Sequence, residues 1–513
     1  MTGRVKIPGR LKAIVDGDGD GEFGGLLSDS AVIAVASTVS RASGLIRVVV
    51  IASVLGSTAL GDLFVAVNVI PLMLYDVFAG SAISSLLVPP LVRLLDGADR
   101  ERIRAFTARA FGAVTATFAV LALLAIVAHR WLARLLTSGF DATLEQPATR
   151  VAGLLLILIL PQLVLYAAIG VLVSIQHAHR RFLLPSVAPL VENLGLMVTV
   201  AVVWYRYGSG IEVGTAPDGL VLTLAAGSGL SVVAHTGLQL AGALRVHRTL
   251  GWSARWRDPD ITALAGPARE SFGWSGTLAL RHFALVVAAG YAGAGGVQAF
   301  EMATLAYYIP VALIGRPVAS ANLPRLTRYM DRDQARFGSR RAVAAESYRR
   351  AATVAAVLAL PAGLVMMIFS RPLAALIATG EFDEAQAVTM VGYALTGLGI
   401  GAAAEALFEV GRQTLMALGA GSGLRSANRI RAGLSVVGIP AAVTAIEGPM
   451  VLLALGLVVS LADASAFVLV HRRLVSTPGH SSHSIAVDPT ASPSSPSDPD
   501  PVEPDPAATG GRS

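Results

Sequence analysis

Twelve stretches of roughly twenty mostly apolar residues run along this chain, near 31–55, 62–92, 107–129, 151–175, 184–206, 218–243, 272–293, 297–323, 350–370, 386–410, 432–447 and 449–471. A helix that crosses a bilayer needs about 20 such residues. Inside hydrocarbon a backbone must satisfy its own hydrogen bonds, as a helix or as a closed barrel. Barrel strands would alternate polar and apolar over about ten residues, whereas Val114 to Val127 and Val151 to Leu160 are apolar without alternation. The windows therefore predict an all-α polytopic membrane protein with about twelve transmembrane helices. Composition agrees, with 54% hydrophobic and only 14% charged residues against about 25% charge in soluble domains. The absence of cysteine excludes thiol nucleophiles, disulfide frameworks and cysteine-based zinc sites.

Positive charge is one-sided. The N-terminal segment, the loops near 93–109, 177–181, 244–270, 325–350 and 412–431, and Arg472 with Arg473 hold most of the Lys and Arg. The opposite loops hold only Arg130, Arg134, Arg150, Arg206 and Arg371. The positive-inside rule then places both termini in the cytoplasm. The chain divides into a cytoplasmic N-terminal segment (1–29), an N-lobe of spans one to six (30–248), a basic linker (249–270), a C-lobe of spans seven to twelve (271–473) and a Pro/Ser/Asp tail (474–513). The tail has almost nothing to bury and is expected to be disordered. Paired halves of this kind frame a substrate site between them in many transporters. Nucleic acid is not the expected partner, because the arginines lie between apolar runs and aromatics are only 6%. An anionic headgroup or lipid-linked substrate fits better.

Several local patterns carry no chemistry. Asp16-Gly17-Asp18-Gly19-Asp20-Gly21-Glu22 begins like a calcium loop, but Leu27 stands where the bidentate Glu belongs. The glycines from Gly290 to Gly296 follow an apolar helix rather than a strand and read as a tight outer turn. His177 with His179, and His480 with His483, fall short of a metal site's ligand set. No metal, no cofactor and no catalytic constellation is expected, so the chain is read as a non-enzyme.

Arginines inside spans differ, because one near the bilayer centre costs about 2.5–3.5 kcal/mol on the insertion scale. On span one, Ser37, Ser40, Arg41, Gly44 and Arg47 fall within an arc of about 120° at about 100° per residue. That stripe is expected to face a water-filled cavity, where guanidinium groups suit bidentate recognition of phosphate. The competing reading pairs Arg41 and Arg47 with buried acids such as Asp62 or Glu192. On span seven Arg281 is the stronger cavity candidate. Glu301 and Arg316 are isolated on span eight. Glu405 and Glu409 on span ten form either an ion-pair cluster with Arg412 or a coupling site, the ion pair being favoured. Asp463 lacks an obvious mate in sequence.

The string from Ser40-Arg41 through Gly44 to Arg47, with Gly56, Asp62-Leu63-Phe64, Ile70-Pro71, Phe78-Ala79 and Pro89, resembles the opening of the MurJ/MviN family of lipid II flippases. Gly170 to Ser174, Phe182, Pro185, Pro189 and Asn193, then Pro310, Leu323-Pro324, Pro361, Arg371-Pro372, Gly380 to Asp383, Thr389, Tyr393 and Gly397-Leu398 continue it in order. The resemblance covers residues 30 to 472. It implies two six-helix lobes in a V that open alternately to either side of a bacterial plasma membrane. It also implies movement of a polyprenyl-pyrophosphate-linked saccharide, most simply the peptidoglycan precursor lipid II, for cell-wall biogenesis and cell shape. Arg41 and Arg47 match the family's first-span arginines as pyrophosphate ligands, with Arg281 as a supplement, and Asp62 matches the acid that opens span two, a gating or orienting role. An arginine expected on span two falls at Tyr75 or Asp76, another on span eight falls near Leu305, and the family's usual fourteen spans are twelve here. The implied partners are the lipid-linked glycan, membrane lipids and cell-wall synthesis proteins. A multidrug-type small-molecule exporter and a non-transporting scaffold of the cell-wall machinery are the alternatives.

Overall fold

The computed structural model describes residues 39–476 apart from 41, 79, 98, 248–249, 256–257 and 333–339. The N-terminal segment, Arg41 and the tail beyond Ser476 lie outside the described residues. Helices occupy all twelve predicted windows, and the described residues contain no strand. The first six spans are Ala42–Leu55, Ala59–Phe78 continued by Gly80–Asp96, Arg100–Val127, Ala142–Ile159 continued by Gln162–Ala178, Pro189–Tyr207 and Asp218–Val246. The next six are Ala265–Ala289, Gly296–Pro310 continued to Arg332, Arg340–Ile368, Ala385–Ala417, Gly421–Ala445 and Met450–Val475.

The breaks have local causes. Span four is interrupted at Leu160 and Pro161, where proline supplies no amide hydrogen to the helix ladder. In span eight Pro310 is followed by a π-helical turn, Val311–Gly315, the widened turn that absorbs such a missing donor. Eleven of the twelve spans contain a strongly apolar helix. Span eleven is the exception, because Arg425, Arg429 and Arg431 crowd its first half. Span three turns Val120, Leu123, Leu124 and Val127 outward, an apolar belt that only a lipid environment makes favourable. The protein is a multi-pass membrane protein.

Three apolar clusters hold the spans together. The largest joins both halves: Leu60, Phe64 and Leu155 of the first half share it with Phe300, Met390 and Leu398 of the second. It lies toward the end that carries the turns at 56–58, 137–141, 208–217, 290–295 and 378–384. Toward the opposite end the halves have separate cores. One is built from Leu87, Phe106, Leu172 and Ile175 together with linker residues Leu250 and Ile261. The other is built from Tyr348, Phe408, Leu424 and Val470. The halves are thus packed together at one end and internally cored at the other, with span two running along span seven between them.

Candidate functional site

Span one meets span five through polar atoms. Asn193 Nδ2 donates to Ser43 Oγ at 2.8 Å and to the Ser40 carbonyl at 3.3 Å. The Ser40 and Gly44 side of the predicted stripe therefore faces a helix, and Gly44 leaves room for the Asn193 amide. Arg47 is half-buried on the same helix, and its Nε is buried without a hydrogen-bond partner among the described residues. On span five, next to Asn193, Glu192 accepts from Tyr166 OH at 2.7 Å and lies 2.8 Å from His235 Nδ1. Among the described residues Arg47 forms no ion pair with Asp62 or Glu192, which bind other partners.

Among the described residues Asp62 bonds no arginine. Its side chain is fully buried, and it ties the two halves together. Oδ2 accepts from the Gly295 amide at 2.8 Å and Oδ1 from the Gln298 amide at 3.0 Å. These are free amides at the start of span eight, where a carboxylate satisfies orphan donors and complements the helix dipole. Gln298 Nε2 in turn donates to the Gly56 carbonyl at 2.7 Å, and Ser57 Oγ donates to the Ala294 carbonyl at 3.1 Å. Gly295 takes a left-handed φ of 85° and presses against Ser57, a contact in which a Cβ would collide. Around this centre Ser209 Oγ donates to Glu381 Oε1 at 2.7 Å, and Tyr291 OH bonds Ser138 Oγ at 3.2 Å. Every one of these bonds crosses between halves, so the end with the shared core is sealed by polar clasps. Among the described residues Asp62 clasps the start of span eight and bonds neither Arg47 nor Arg281.

The second half holds a buried ionic network that supplies the mate missing for Asp463. Arg281 of span seven grips Asp463 of span twelve with two bonds, 2.7 and 3.1 Å. Arg431 of span eleven approaches the same carboxylate at 3.1 Å and pairs with Glu405 of span ten. Tyr307 OH donates to Asp463, and Phe408 lies under the Arg431 guanidinium at 3.9 Å. Two cations balance two anions, which is the condition for charges to persist away from water. Arg281 is therefore committed to Asp463. Arg431 lies just before the predicted window at 432–447; three arginines spaced four and two apart on the first half of that helix were the available signal.

The remaining candidates resolve into pairs. Glu409 bonds Arg412 at 2.6 and 2.8 Å, the favoured ion pair. Glu301 pairs with His282 at 3.1 Å. Arg316 is exposed beside the π-helical turn. Leu305 is half-buried against the shared core, and the side chains of Tyr75 and Asp76 lie outside the described residues. Among the described residues no group of three His, Asp or Glu side chains could hold a metal ion.

Two halves of six helices, cored separately at one end and clasped at the other, define the class of two-lobed helical exporters. A profile of the family described as lipid II flippase MurJ matches residues 51–481, and the chain belongs to that family. A probable lipid II flippase MurJ of Rhizobium meliloti is 26% identical over 399 residues, 75% of this chain and 69% of that one. Among solved structures, a lipid II flippase MurJ in an inward closed conformation superposes with a TM-score of 0.71 at 14% identity, covering 87% of this chain and 88% of that one. An inward-facing multidrug resistance MATE family transporter superposes with a TM-score of 0.64 at 15% identity, covering 86% and 98%. At such identities the two superpositions establish the fold alone.

Proposed function

We propose that this chain is a flippase that moves lipid II, a polyprenyl-pyrophosphate-linked saccharide, across the bacterial plasma membrane by alternating access. Family membership supports the substrate class, and Arg47 carries the site. Arg47 is a half-buried guanidinium with an unpartnered Nε, nine residues or about 13 Å of helix rise from the clasp at Gly56. It lies toward the end where the halves have separate cores. Arg47, with Arg41 six residues before it in the sequence, meets the pyrophosphate through paired N–H donors. Span two lacks the family's further arginine, and Arg281 is occupied by Asp463. The headgroup charge therefore falls on span one.

Asp62 holds the outer end shut in the inward-open arrangement, and opening that end exchanges its clasps for closure at the other. Substrate drives the exchange only by binding one arrangement better than the other. Both termini are cytoplasmic, residues 30–248 and 271–473 are the moving lobes, and the linker between them rests on span three through Arg109 and Asp258.

Complementation tests this reading. A host depleted of its resident flippase and expressing this chain is expected to regain outward exposure of lipid II, and Arg47→Ala or Arg41→Ala to abolish it. Rescue that survives both changes would remove the arginines from the mechanism. The neutralised Arg281 and the apolar Leu305 favour the non-transporting scaffold as a second reading. Normal membrane insertion with no rescue by the unmodified chain would establish it.

A further inference from the structure

A short segment is written twice, once in each half. The helix His129–Leu136 follows span three, and the helix Ser370–Ile377 follows span nine. Arg130, Leu132, Ala133 and Leu135 of the first recur as Arg371, Leu373, Ala374 and Leu376 of the second. Each copy then enters a similar turn, Ser138-Gly139-Phe140-Asp141 in one and Thr379-Gly380-Glu381-Phe382-Asp383 in the other.

The two copies also pack alike. Ala133 with Leu136, and Ala374 with Ala378, are buried in the core that both halves share. Each turn touches the opposite half. A Cβ on Gly139 would lie 2.6 Å from the Tyr291 amide nitrogen, and one on Gly380, at a φ of 63°, would lie 2.6 Å from the Ser53 carbonyl oxygen.

The other face of each helix is uncovered. Trp131 is 64% exposed and Leu376 74%, and Arg130, Arg134 and Arg371 are exposed beside them. These apolar side chains prolong the outward belts of their spans, which reach Val127 in span three and Ile368 with Phe369 in span nine. Positive charge is sparse at this end, where the remaining arginines are Arg150, paired with Asp218, and Arg206. Among the described residues Arg130, Arg134 and Arg371 pair with no acid. A protein partner fits poorly, because a helix of eight residues is about 12 Å long and one face of it falls far short of the roughly 800 Å² per partner that a stable interface takes. Where an apolar span ends, lipid fits both features: the aromatic and aliphatic groups lie at the edge of the hydrocarbon, and guanidinium groups reach the phosphates.

We propose that these two helices form a duplicated binding site for anionic phospholipid headgroups at the clasped end. Arg130 with Arg134 in the first half, and Arg371 in the second, hold lipid phosphate through paired N–H donors, while Trp131 and Leu376 lie against the upper acyl carbons. Each helix leads directly into the glycine that touches the opposite half, so the bound lipid sits beside the clasp. The site is independent of what the chain transports.

The test uses the full chain in lipid nanodiscs, with Trp204→Phe, Trp252→Phe, Trp256→Phe and Trp274→Phe leaving Trp131 as the one tryptophan. The discs hold equal parts of phosphatidylglycerol and phosphatidylcholine, and one lipid or the other carries bromine near the top of its acyl chains, where it quenches indole on contact. Brominated phosphatidylglycerol is expected to quench Trp131 about twofold more than brominated phosphatidylcholine, and the preference to shrink in high salt. Arg130→Gln with Arg134→Gln is expected to abolish the preference, and Arg130→Lys with Arg134→Lys, which keeps the charge, to retain most of it. Leu376→Trp in a chain that also carries Trp131→Phe reports the second helix, with Arg371→Gln as its control. Equal quenching by the two lipids, a preference that survives the Gln changes, or quenching by neither lipid would overturn the proposal. Native mass spectrometry of the chain with all its tryptophans gives a second measure. Fewer retained phosphatidylglycerol molecules in the triple variant Arg130→Gln, Arg134→Gln, Arg371→Gln than in wild type support the site, and equal numbers overturn it.

Discussion

Asp62 and Gln298 bind each other's segments in both directions: the Gln298 amide donates to Asp62 Oδ1, and the Gln298 side chain returns to the carbonyl of Gly56, in the turn that leads into Asp62's helix. A helix start in one half is thus capped by an acid of the other. Asp62→Asn turns one acceptor into a donor against amides already donating, at a cost of about 1–3 kcal/mol. That biases the closed end toward opening by about tenfold or more. The cysteine-free chain allows a direct measurement. Ser57→Cys with Ala294→Cys is expected to cross-link readily in the wild-type background and several-fold more slowly with Asp62→Asn. Equal rates would show that the carboxylate does not hold the clasp.

Spans ten and twelve touch backbone to backbone. A Cβ on Gly397 would lie 2.4 Å from the Leu453 carbonyl and 2.9 Å from Gly456 Cα. Close approach of this kind is how small residues bind helices where no hydrophobic effect operates between them. Gly397→Ala forces the helices apart and is expected to lower thermal stability by about 1–3 kcal/mol. Gly433→Ala, where a Cβ meets nothing within 4 Å, is the internal control and is expected to be neutral or stabilising. A stability unchanged by Gly397→Ala would mean the seam is looser than these distances.

Just past span six, His247 bonds Thr107 at 3.3 Å. Burial, and then the nearby charges of His179 and Arg104, hold its pKa below the ordinary histidine value of 6.5. The folded chain therefore takes up this proton later than the unfolded chain. The contribution to stability is complete above the unfolded value and is lost as pH falls below it. The protection factors of the linker amides from 250 to 255, exchange rates taken relative to the intrinsic rate at each pH, are expected to fall between about pH 7 and about pH 5 in wild type and to fall much less in His247→Asn. An identical fall in both would assign the effect elsewhere.

What the sequence revealed tracks what a one-dimensional pattern can carry. Twelve apolar windows foretold helices because length and hydropathy are local. The breaks beside Pro161 and Pro310 inside two of those windows were not foretold, although their cause is as local, a proline that lacks an amide hydrogen. The partner of each charge was not legible. Arg281, Arg431, Glu405 and Asp463 lie on four different helices, and only packing brings them within bonding distance. Asp62 looked like a companion for arginine because both are buried charges on adjacent spans. Its real partners are uncharged amides more than two hundred residues away, which no composition rule distinguishes. Glu192 was recognised as a possible mate for Arg47, whereas His235 raised no signal, being a single histidine in an apolar run.

The Arg281–Asp463 pair separates a structural ion network from a substrate site. If Arg281 only balances charge, removing its partner should cost more than removing both. Asp463→Asn leaves Arg281 and Arg431 facing Glu405 alone, an uncompensated buried cation expected to cost about 3–5 kcal/mol. Arg281→Met combined with Asp463→Leu leaves only two charges, Arg431 and Glu405, which already pair with each other. The double variant is therefore expected to melt above the single one and, where Arg281 serves charge balance alone, to keep lipid II export. Export lost in the double variant, with its folding intact, would return Arg281 to the pyrophosphate site.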